Sequence, residues 1–141
     1  MRLHHVQVAC PEGGEDEARR FYGDGLGMTE VAKPVALAAR GGVWFRAYAG
    51  VVVTAEVHVG VEVPFSPARK AHPALLLDDL DAVLDRLRAL GFSVDERERD
   101  TFPGYVRAHT RDAAGNRVEL LQVRFATSLA SMRSRTGQRT S

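Results

Sequence analysis

The chain has 141 residues, of which 45% are apolar and 26% charged, a composition typical of one ordinary globular domain. No apolar run approaches the roughly 18 to 20 residues that a membrane-spanning helix needs, so we expect no membrane association. The net charge of +1 gives no reason to expect a nucleic-acid partner, and the single cysteine, Cys10, excludes an intrachain disulfide and any CxxC motif.

The first half of the chain predicts a strand, a helix and a β-hairpin. Residues 2–10 indicate a strand, and residues 13–27 a short helix with an acidic first turn, an apolar stripe and closing glycines. The β-rich runs at 41–50 and 51–63 follow, with Gly50 at the turn between them.

The second half again predicts a strand and a helix followed by strands. A segment with two prolines and no hydrophobic period, residues 63–70, indicates a linker. Residues 71–77 then predict a strand and residues 78–91 a helix with a continuous apolar face. Three further strands are expected at residues 92–100, 104–112 and 116–123, with the sequence DAAGN forming a tight turn between the last two.

The two helices end alike, which indicates an internal duplication. Gly27 lies in GLGMTEV and Gly91 in ALGFSVD, an offset of 64 residues. Either Asp78 or Asp79 is suited to cap the start of the second helix, and Gly91 is suited to follow its end. Each half therefore reads as one βαβββ unit, and the fold class predicted is α+β.

The last 16 residues, 126–141, contain three arginines, no acidic residue and no apolar period. This composition predicts a disordered basic tail. Because the N-terminus shows no apolar segment followed by a small-residue cleavage site, we expect a cytoplasmic protein.

Strand alternation separates the two adjacent histidines of the first strand. Neighbouring residues on a strand point to opposite faces, so His5 shares a face with Gln7, whereas His4 lies on the face of Val6 and Val8. The valine face is the one that a helix would cover. His5 is therefore the residue of this pair that we expect in a site.

Polar residues also interrupt three later strands. Glu56 and His58 share one face of the strand at 51–63, opposite a dry face of valines and alanine. His72 begins a strand, and Glu119 stands between two apolar residues of the last strand. A carboxylate in an apolar strand costs several kcal/mol unless it is paired, hydrogen-bonded or bound to metal.

The duplication relates these residues in pairs. His5 and His72 each lie in the first strand of a half, and Glu56 and Glu119 each lie in the last strand. Two copies of one unit would bring these four side chains towards a shared axis. Two imidazoles and two carboxylates suit a divalent metal ion, so these four residues are the predicted metal ligands.

The sequence is identified as a member of the vicinal oxygen chelate superfamily, which includes glyoxalases, bleomycin resistance proteins and extradiol dioxygenases. The resemblance rests on five stretches within residues 2–123, LHHVQVA, ARRFYGDGLGM, AEVHVGVE, AHPALLLDDLDAVLDRLRALG and DAAGNRVELLQ. It implies a single domain in which two βαβββ modules, at about 1–62 and 71–125, form an incomplete β-barrel around a central site, with helices on the outer face. Members of the superfamily usually have proline at the second position of the turn that is DAAGN here, and this chain has Ala113 at that position.

By motif position, the resemblance implies the same four ligands, His5, Glu56, His72 and Glu119. It also implies that Glu119 or Glu56 acts as the base that removes a proton beside a substrate carbonyl. The metal would be Zn, Ni, Co, Mn or Fe. Members of this fold commonly pair through their sheets, so a homodimer is expected.

His58 leaves the ligand set open at one position. It lies two residues beyond Glu56 on the same face, so it is suited either to replace Glu56 as a ligand or to contact substrate. The other candidates for contact with a small-molecule substrate are Gln7, Trp44, Arg46 and Arg107.

The resemblance implies three candidate functions. The first is a metal-dependent glyoxalase-like lyase or isomerase that chelates vicinal oxygens of a small substrate and moves a proton through a glutamate. The second is a non-catalytic protein that binds a small molecule or antibiotic, as bleomycin resistance proteins do. The third is an extradiol-type dioxygenase, which the set of four favours less, because such an enzyme typically presents only two histidines and one carboxylate.

Overall fold

A computed structural model of the chain describes residues 1–125, and the predicted tail at 126–141 lies outside the described residues. Its strands are β1 (Val6–Cys10), β2 (Thr29–Val31), β3 (Val43–Ala49), β4 (Val52–Val61), β5 (Ala74–Leu76), β6 (Val94–Asp95), β7 (Tyr105–Arg111) and β8 (Arg117–Val123). Its helices are α1 (Glu15–Ala18), which continues as a π-helical segment (Arg19–Gly25), α2 (Val35–Ala38) and α3 (Leu80–Ala89).

The strands form two four-stranded mixed sheets of the same topology. The order is β1-β4-β3-β2 in the first sheet and β5-β8-β7-β6 in the second. In each, the first strand runs parallel to the last, which pairs antiparallel with its hairpin partner. The predicted α+β class and the duplicated βαβββ unit are thereby confirmed, and both sheets remain open, as in an incomplete barrel.

One hydrophobic core serves both sheets. Phe45 and Val57 of the first sheet and Val118 and Leu120 of the second are at most 1% exposed and belong to the same cluster. The segment after α1 packs against α3 within this cluster, where Phe21 is completely buried. The opposite faces of both sheets, which carry the polar residues, therefore point away from the shared core.

Helix α3 follows its sequence pattern closely. Leu80, Val83, Leu84 and Leu87 recur at helical spacing and are all buried. The Oδ1 atom of Asp79 accepts a hydrogen bond from the backbone N–H of Ala82 at 3.0 Å, which identifies Asp79 as the N-cap. Gly91 has a φ of +86°, which is the left-handed conformation that glycine adopts readily after a helix.

Replacing Asp79 by alanine should lower the free energy of unfolding by about 1 kcal/mol, because the first turn of α3 loses its side-chain acceptor. Urea denaturation of Asp79→Ala, Asp78→Ala and wild type measures this effect. Asp78 is exposed and does not cap the helix, so its variant is the matched control. An equal loss of unfolding free energy in the two variants would contradict the assignment of Asp79 as the N-cap.

The turn between β7 and β8 joins the two halves. The Nδ2 atom of Asn116 donates to the carbonyl of Ala9 in β1 at 2.7 Å, and its Oδ1 atom accepts from the backbone N–H of Ala68 at 2.9 Å. Asp112 accepts hydrogen bonds from Asn116 and from the buried hydroxyl of Tyr22. The turn forms with Ala113 in place of the usual proline because Asp112 also accepts two backbone N–H groups within it.

Three strands are shorter than the sequence predicts, and the first of them, β1, begins only at Val6 rather than at residue 2. Strand β5 begins only at Ala74, since Pro73 has no N–H to donate and instead accepts from the N–H of Glu119 through its carbonyl. Strand β6 ends at Asp95, where the carboxylate ties Arg97 into a turn. None of the helices within residues 1–125 is long and apolar enough to cross a membrane.

Candidate functional site

The polar face of the first sheet carries a stack of three rings. His58 on β4 lies between Trp44 on β3, with ring centroids 3.7 Å apart, and His5, with centroids 4.0 Å apart. Trp44 and His58 are direct cross-strand partners, which explains their parallel rings. His58 is only 5% exposed, whereas His5 is exposed to solvent.

Glu56 lies next to this stack and already has partners for both oxygens. Its Oε2 atom accepts from Nε of Arg46 at 2.8 Å, and its Oε1 atom lies 2.7 Å from Nε2 of His58. The hydrogen bonds from Arg46 and His58 hold the pKa of this carboxyl below its usual value despite burial. Because Nε2 of His58 is hydrogen-bonded to Glu56, Nδ1 is the ring nitrogen that could coordinate a metal ion.

The polar face of the second sheet carries a cluster of two histidines and a glutamate. The Nε2 atom of His72 lies 3.1 Å from Oε2 of Glu119, and His109 is the direct cross-strand partner of Glu119. Within the described part of the chain, these three residues alone bring their ligand atoms within 4.8 Å of one another. Arg107 donates to the second oxygen of Glu119 at 3.1 Å.

The environment favours a charged Glu119 and a neutral His109. Burial alone would raise the pKa of Glu119, but hydrogen bonds from Arg107 and His72 outweigh it, so the pKa lies below its usual value. Burial, with the positive charge of Arg117 adding to it, lowers the pKa of His109. A neutral imidazole beside a carboxylate is the form in which both groups can bind a metal ion.

The tautomer of His72 is decided by its other hydrogen bond. Its Nδ1 atom lies 2.7 Å from the carbonyl oxygen of Lys70, which can only accept, so Nδ1 must carry a proton. Nε2 then donates to Glu119 when the ring is protonated, whereas in the neutral ring it presents a lone pair to the oxygen of Glu119. Two acceptors 3.1 Å apart require a proton or a cation between them.

This donor set fits a divalent metal ion. His72, His109 and Glu119 supply two imidazoles and one carboxylate, the ligands that zinc and the neighbouring transition metals prefer. The contact of His72 with Lys70 orients the ring in the way that second partners of metal-bound histidines usually do.

The register of the two sheets shows which polar residues correspond. In the first sheet, Gln7 lies directly opposite His58, two residues after His5. In the second, Ala74 lies directly opposite Glu119, two residues after His72. If the two histidines are counterparts, His58 rather than Glu56 is the counterpart of Glu119.

The four predicted ligands fall into two groups. His5 and Glu56 lie on the first sheet, both in contact with His58, whereas His72 and Glu119 lie together on the second. Within residues 1–125, neither His5 nor Glu56 belongs to the cluster whose ligand atoms all lie within 4.8 Å of one another. The chain assembles two half-sites, each on a polar face that points away from the shared core.

The residues expected to contact substrate occupy these same faces. Gln7 is exposed on β1, and Trp44 covers His58. Arg46 and Arg107 each bind a glutamate of the site. His109 is not among the ligands predicted from the sequence, although equal spacing from the turn DAAGN places it opposite Glu119 in the hairpin.

The fold and these half-sites define a class, that of paired βαβββ modules that present histidines and carboxylates on open sheets. The chain belongs to the Glyoxalase/Bleomycin resistance protein/Dioxygenase superfamily, whose family profile matches residues 2–120. A comparison with curated proteins found no significant match.

Several solved structures are similar to this one. A glyoxalase family protein from Bacillus anthracis is 39% identical, with a TM-score of 0.76, and the match covers 88% of this chain and 100% of that one. TnmS3, an antibiotic binding protein from Streptomyces sp. CB03234, is 24% identical, with a TM-score of 0.61 and coverage of 88% and 99%. The fosfomycin resistance protein FosX from Listeria monocytogenes is 12% identical, with a TM-score of 0.63 and coverage of 93% and 98%. The last two similarities concern the fold alone.

Proposed function

We propose that this protein is a divalent-metal-dependent, glyoxalase-like enzyme that acts on a small substrate with vicinal oxygens. The observation that carries the proposal is the pair of His72 and Glu119. With its proton on Nδ1, a neutral His72 presents the lone pair of Nε2 to the glutamate oxygen 3.1 Å away. These two atoms would then hold a divalent ion, which would supply the positive charge that two facing acceptors need.

The metal ligands in this proposal are His72 and Glu119 from the second sheet and His5 and His58 from the first. His58 is preferred to Glu56 because of the register, and because Glu56 already accepts from both Arg46 and His58. Glu56 then orients His58, as a carboxylate behind a metal-bound histidine commonly does. His109 is within reach as a further ligand of the second sheet.

The chemistry of the reaction divides between metal and protein. When bound, the ion supplies Lewis-acid stabilisation of negative charge on the vicinal oxygens of the substrate. Glu119 takes the proton beside the carbonyl, and Arg107 holds its carboxylate in place. Glu56 is the other candidate for this base, although its two partners leave it less accessible.

A homodimer completes the site in this proposal. Both half-sites lie on faces that point away from the core of their own chain, so the first sheet of one copy meets the second sheet of the other. Two-fold symmetry then generates two equivalent metal sites. Exposed apolar residues such as Leu3 next to the first half-site and Leu76 on β5 are suited to such a contact.

Metal content tests the proposal. Protein purified without a chelator should contain about one divalent ion per chain by elemental analysis. The His58→Ala variant should lose this ion, and the matched Glu56→Ala variant should retain more of it. Wild-type protein without stoichiometric metal would contradict the enzyme proposal and favour the binding function. If only the Glu56→Ala variant loses the metal ion, Glu56 rather than His58 is the ligand.

Mixing two defective variants tests the dimer. If sites form between copies, unfolding and refolding His58→Ala together with Glu119→Gln should restore about a quarter of the wild-type metal sites, because half of the dimers are mixed and each has one intact site. Each variant refolded alone is the control. No recovery on mixing would mean that each site forms within one chain.

The dioxygenase is a second candidate, because His72, His109 and Glu119 have the composition of an iron-binding facial triad. Two assays separate the candidates. Turnover of the hemithioacetal of methylglyoxal and glutathione without oxygen supports the glyoxalase-like reaction. Oxygen uptake with a catechol in the presence of ferrous iron supports the dioxygenase.

A further inference from the structure

A cavity of about 610 Å³ opens beside the histidine–glutamate cluster of the second sheet. His109 lines it, and its walls continue along β6, β7 and the start of β8. The volume is within the range of about 300 to 1,000 Å³ that is usual for small-molecule sites. The cavity therefore adjoins the proposed metal site through a shared residue.

The charge in this cavity is unbalanced. Four arginines line it against two carboxylates, Asp95 and Glu98, which leaves two positive charges in excess. Asp95 already binds Arg97, and Glu98 already binds Arg107 outside the lining. Within residues 1–125, no carboxylate forms an ion pair with the remaining lining arginines, which are Arg69, Arg111 and Arg117.

Two of these arginines are held against each other. Arg111 on β7 and Arg117 on β8 are direct cross-strand partners at the end of the hairpin. Like charges directly opposite each other on a sheet are destabilising. The side chain of Arg111 reaches only a neutral partner, the carbonyl of Gly115 at 3.2 Å. A negatively charged ligand would relieve this repulsion.

The linker brings the third arginine to the same place. The backbone N–H of Arg117 donates to the carbonyl of Ala68 at 2.9 Å, and the side-chain Oδ1 of Asn116 accepts from the N–H of Ala68. Arg69 is the next residue, so these two hydrogen bonds hold its backbone beside the start of β8, and it lines the cavity. The three arginines thus come from three separate segments and line one space.

We propose that this cavity binds a doubly negative oxyanion group of a small molecule, a phosphoryl or phosphonyl group or a pair of carboxylates, through Arg111 and Arg117, with Arg69 lining the same space. Guanidinium groups bind such oxyanions through paired N–H donors. The statement that this molecule is the substrate rests on the function proposed above. The oxyanion would be held beside His109, and the rest of the substrate would extend towards Glu119.

Anion binding to the metal-free protein tests this proposal separately from the enzyme function. Full-length protein treated with EDTA is titrated calorimetrically with inorganic phosphate and with malonate, at an ionic strength kept constant with sodium chloride. One saturable site per chain is expected for at least one of the two anions, and the tighter one shows which kind of oxyanion fits. Arg111→Gln and Arg117→Gln should each weaken this binding about tenfold or more.

The Arg19→Gln variant is the matched control, because it removes a surface arginine that is paired with Asp16 and Glu30. It should bind the anion as wild type does, and melting temperatures in chloride buffer should show that all three variants fold. The proposal is overturned if neither anion binds, if Arg19→Gln weakens binding equally, or if binding requires metal. If the protein binds the anion but takes up no metal, this proposal stands and the proposed metal-dependent enzyme function is refuted.

Discussion

Replacing Glu119 by glutamine should lower the affinity for the divalent ion about tenfold or more and abolish proton transfer. The amide is a weaker metal ligand than the carboxylate, and it can no longer accept a proton as a base. Its amide can also donate to Nε2 of a neutral His72, whose distance to the carboxylate oxygen is 3.1 Å. Competition with a chromogenic chelator measures the affinity.

The Glu98→Gln variant is the control for this experiment. Glu98 binds the same Arg107 at 2.7 Å through its carboxylate, but it does not belong to the ligand cluster. It should bind metal as wild type does. If both substitutions reduce the affinity equally, then Arg107 and the local charge, rather than direct coordination by Glu119, determine metal binding.

Replacing Asp112 by alanine should lower the free energy of unfolding by about 3 kcal/mol or more, the largest effect on stability that we expect from a polar residue. Asp112 is 5% exposed and accepts hydrogen bonds from Tyr22, from the side chain of Asn116 and from two backbone N–H groups. The substitution leaves the hydroxyl of Tyr22 and the backbone N–H of Asn116 buried without this acceptor, while Nδ2 of Asn116 keeps only its bond to Ala9. Urea denaturation monitored by circular dichroism measures the loss.

A double-mutant cycle checks the cause of this loss. Tyr22→Phe removes the hydroxyl that Asp112→Ala would leave unsatisfied, so the double variant should be more stable than the sum of the two single losses predicts. Additive losses would mean that the hydroxyl contact at 2.8 Å contributes little. The exposed Asp78→Ala substitution should change stability by less than about 0.5 kcal/mol.

The duplicated fold could be predicted because its signals are local. The spacing of Leu80 to Leu87 predicts α3, and Asp79 and Gly91 mark its ends within one turn. The irregular part of the fold could not be predicted in this way. The sequence predicts a long strand at 92–100, but β6 covers only Val94–Asp95, because Asp95 and Arg97 bind each other instead of continuing the sheet pairing.

The candidate site was predictable only as a set of residues on the correct faces. Strand alternation places His5 with Gln7, and Glu56 with His58, without any tertiary information. The same alternation cannot tell whether Glu56 or His58 corresponds to Glu119, since both lie on one face. The pairing of Gln7 with His58, compared with that of Ala74 with Glu119, supports His58 as the counterpart if His5 and His72 correspond.

What the sequence alone determined about this protein is its class of fold, its duplication and the polar faces of its strands. Each of these depends on the spacing of apolar and polar residues within a short stretch of chain, which can be read directly from the sequence. The tertiary structure decided that the predicted ligands lie in two groups on different sheets, that His109 lies with His72 and Glu119, and that Arg111 pairs with Arg117 across the hairpin. These depend on the register between distant strands and on which sheet faces share a core, and only the packed chain specifies them.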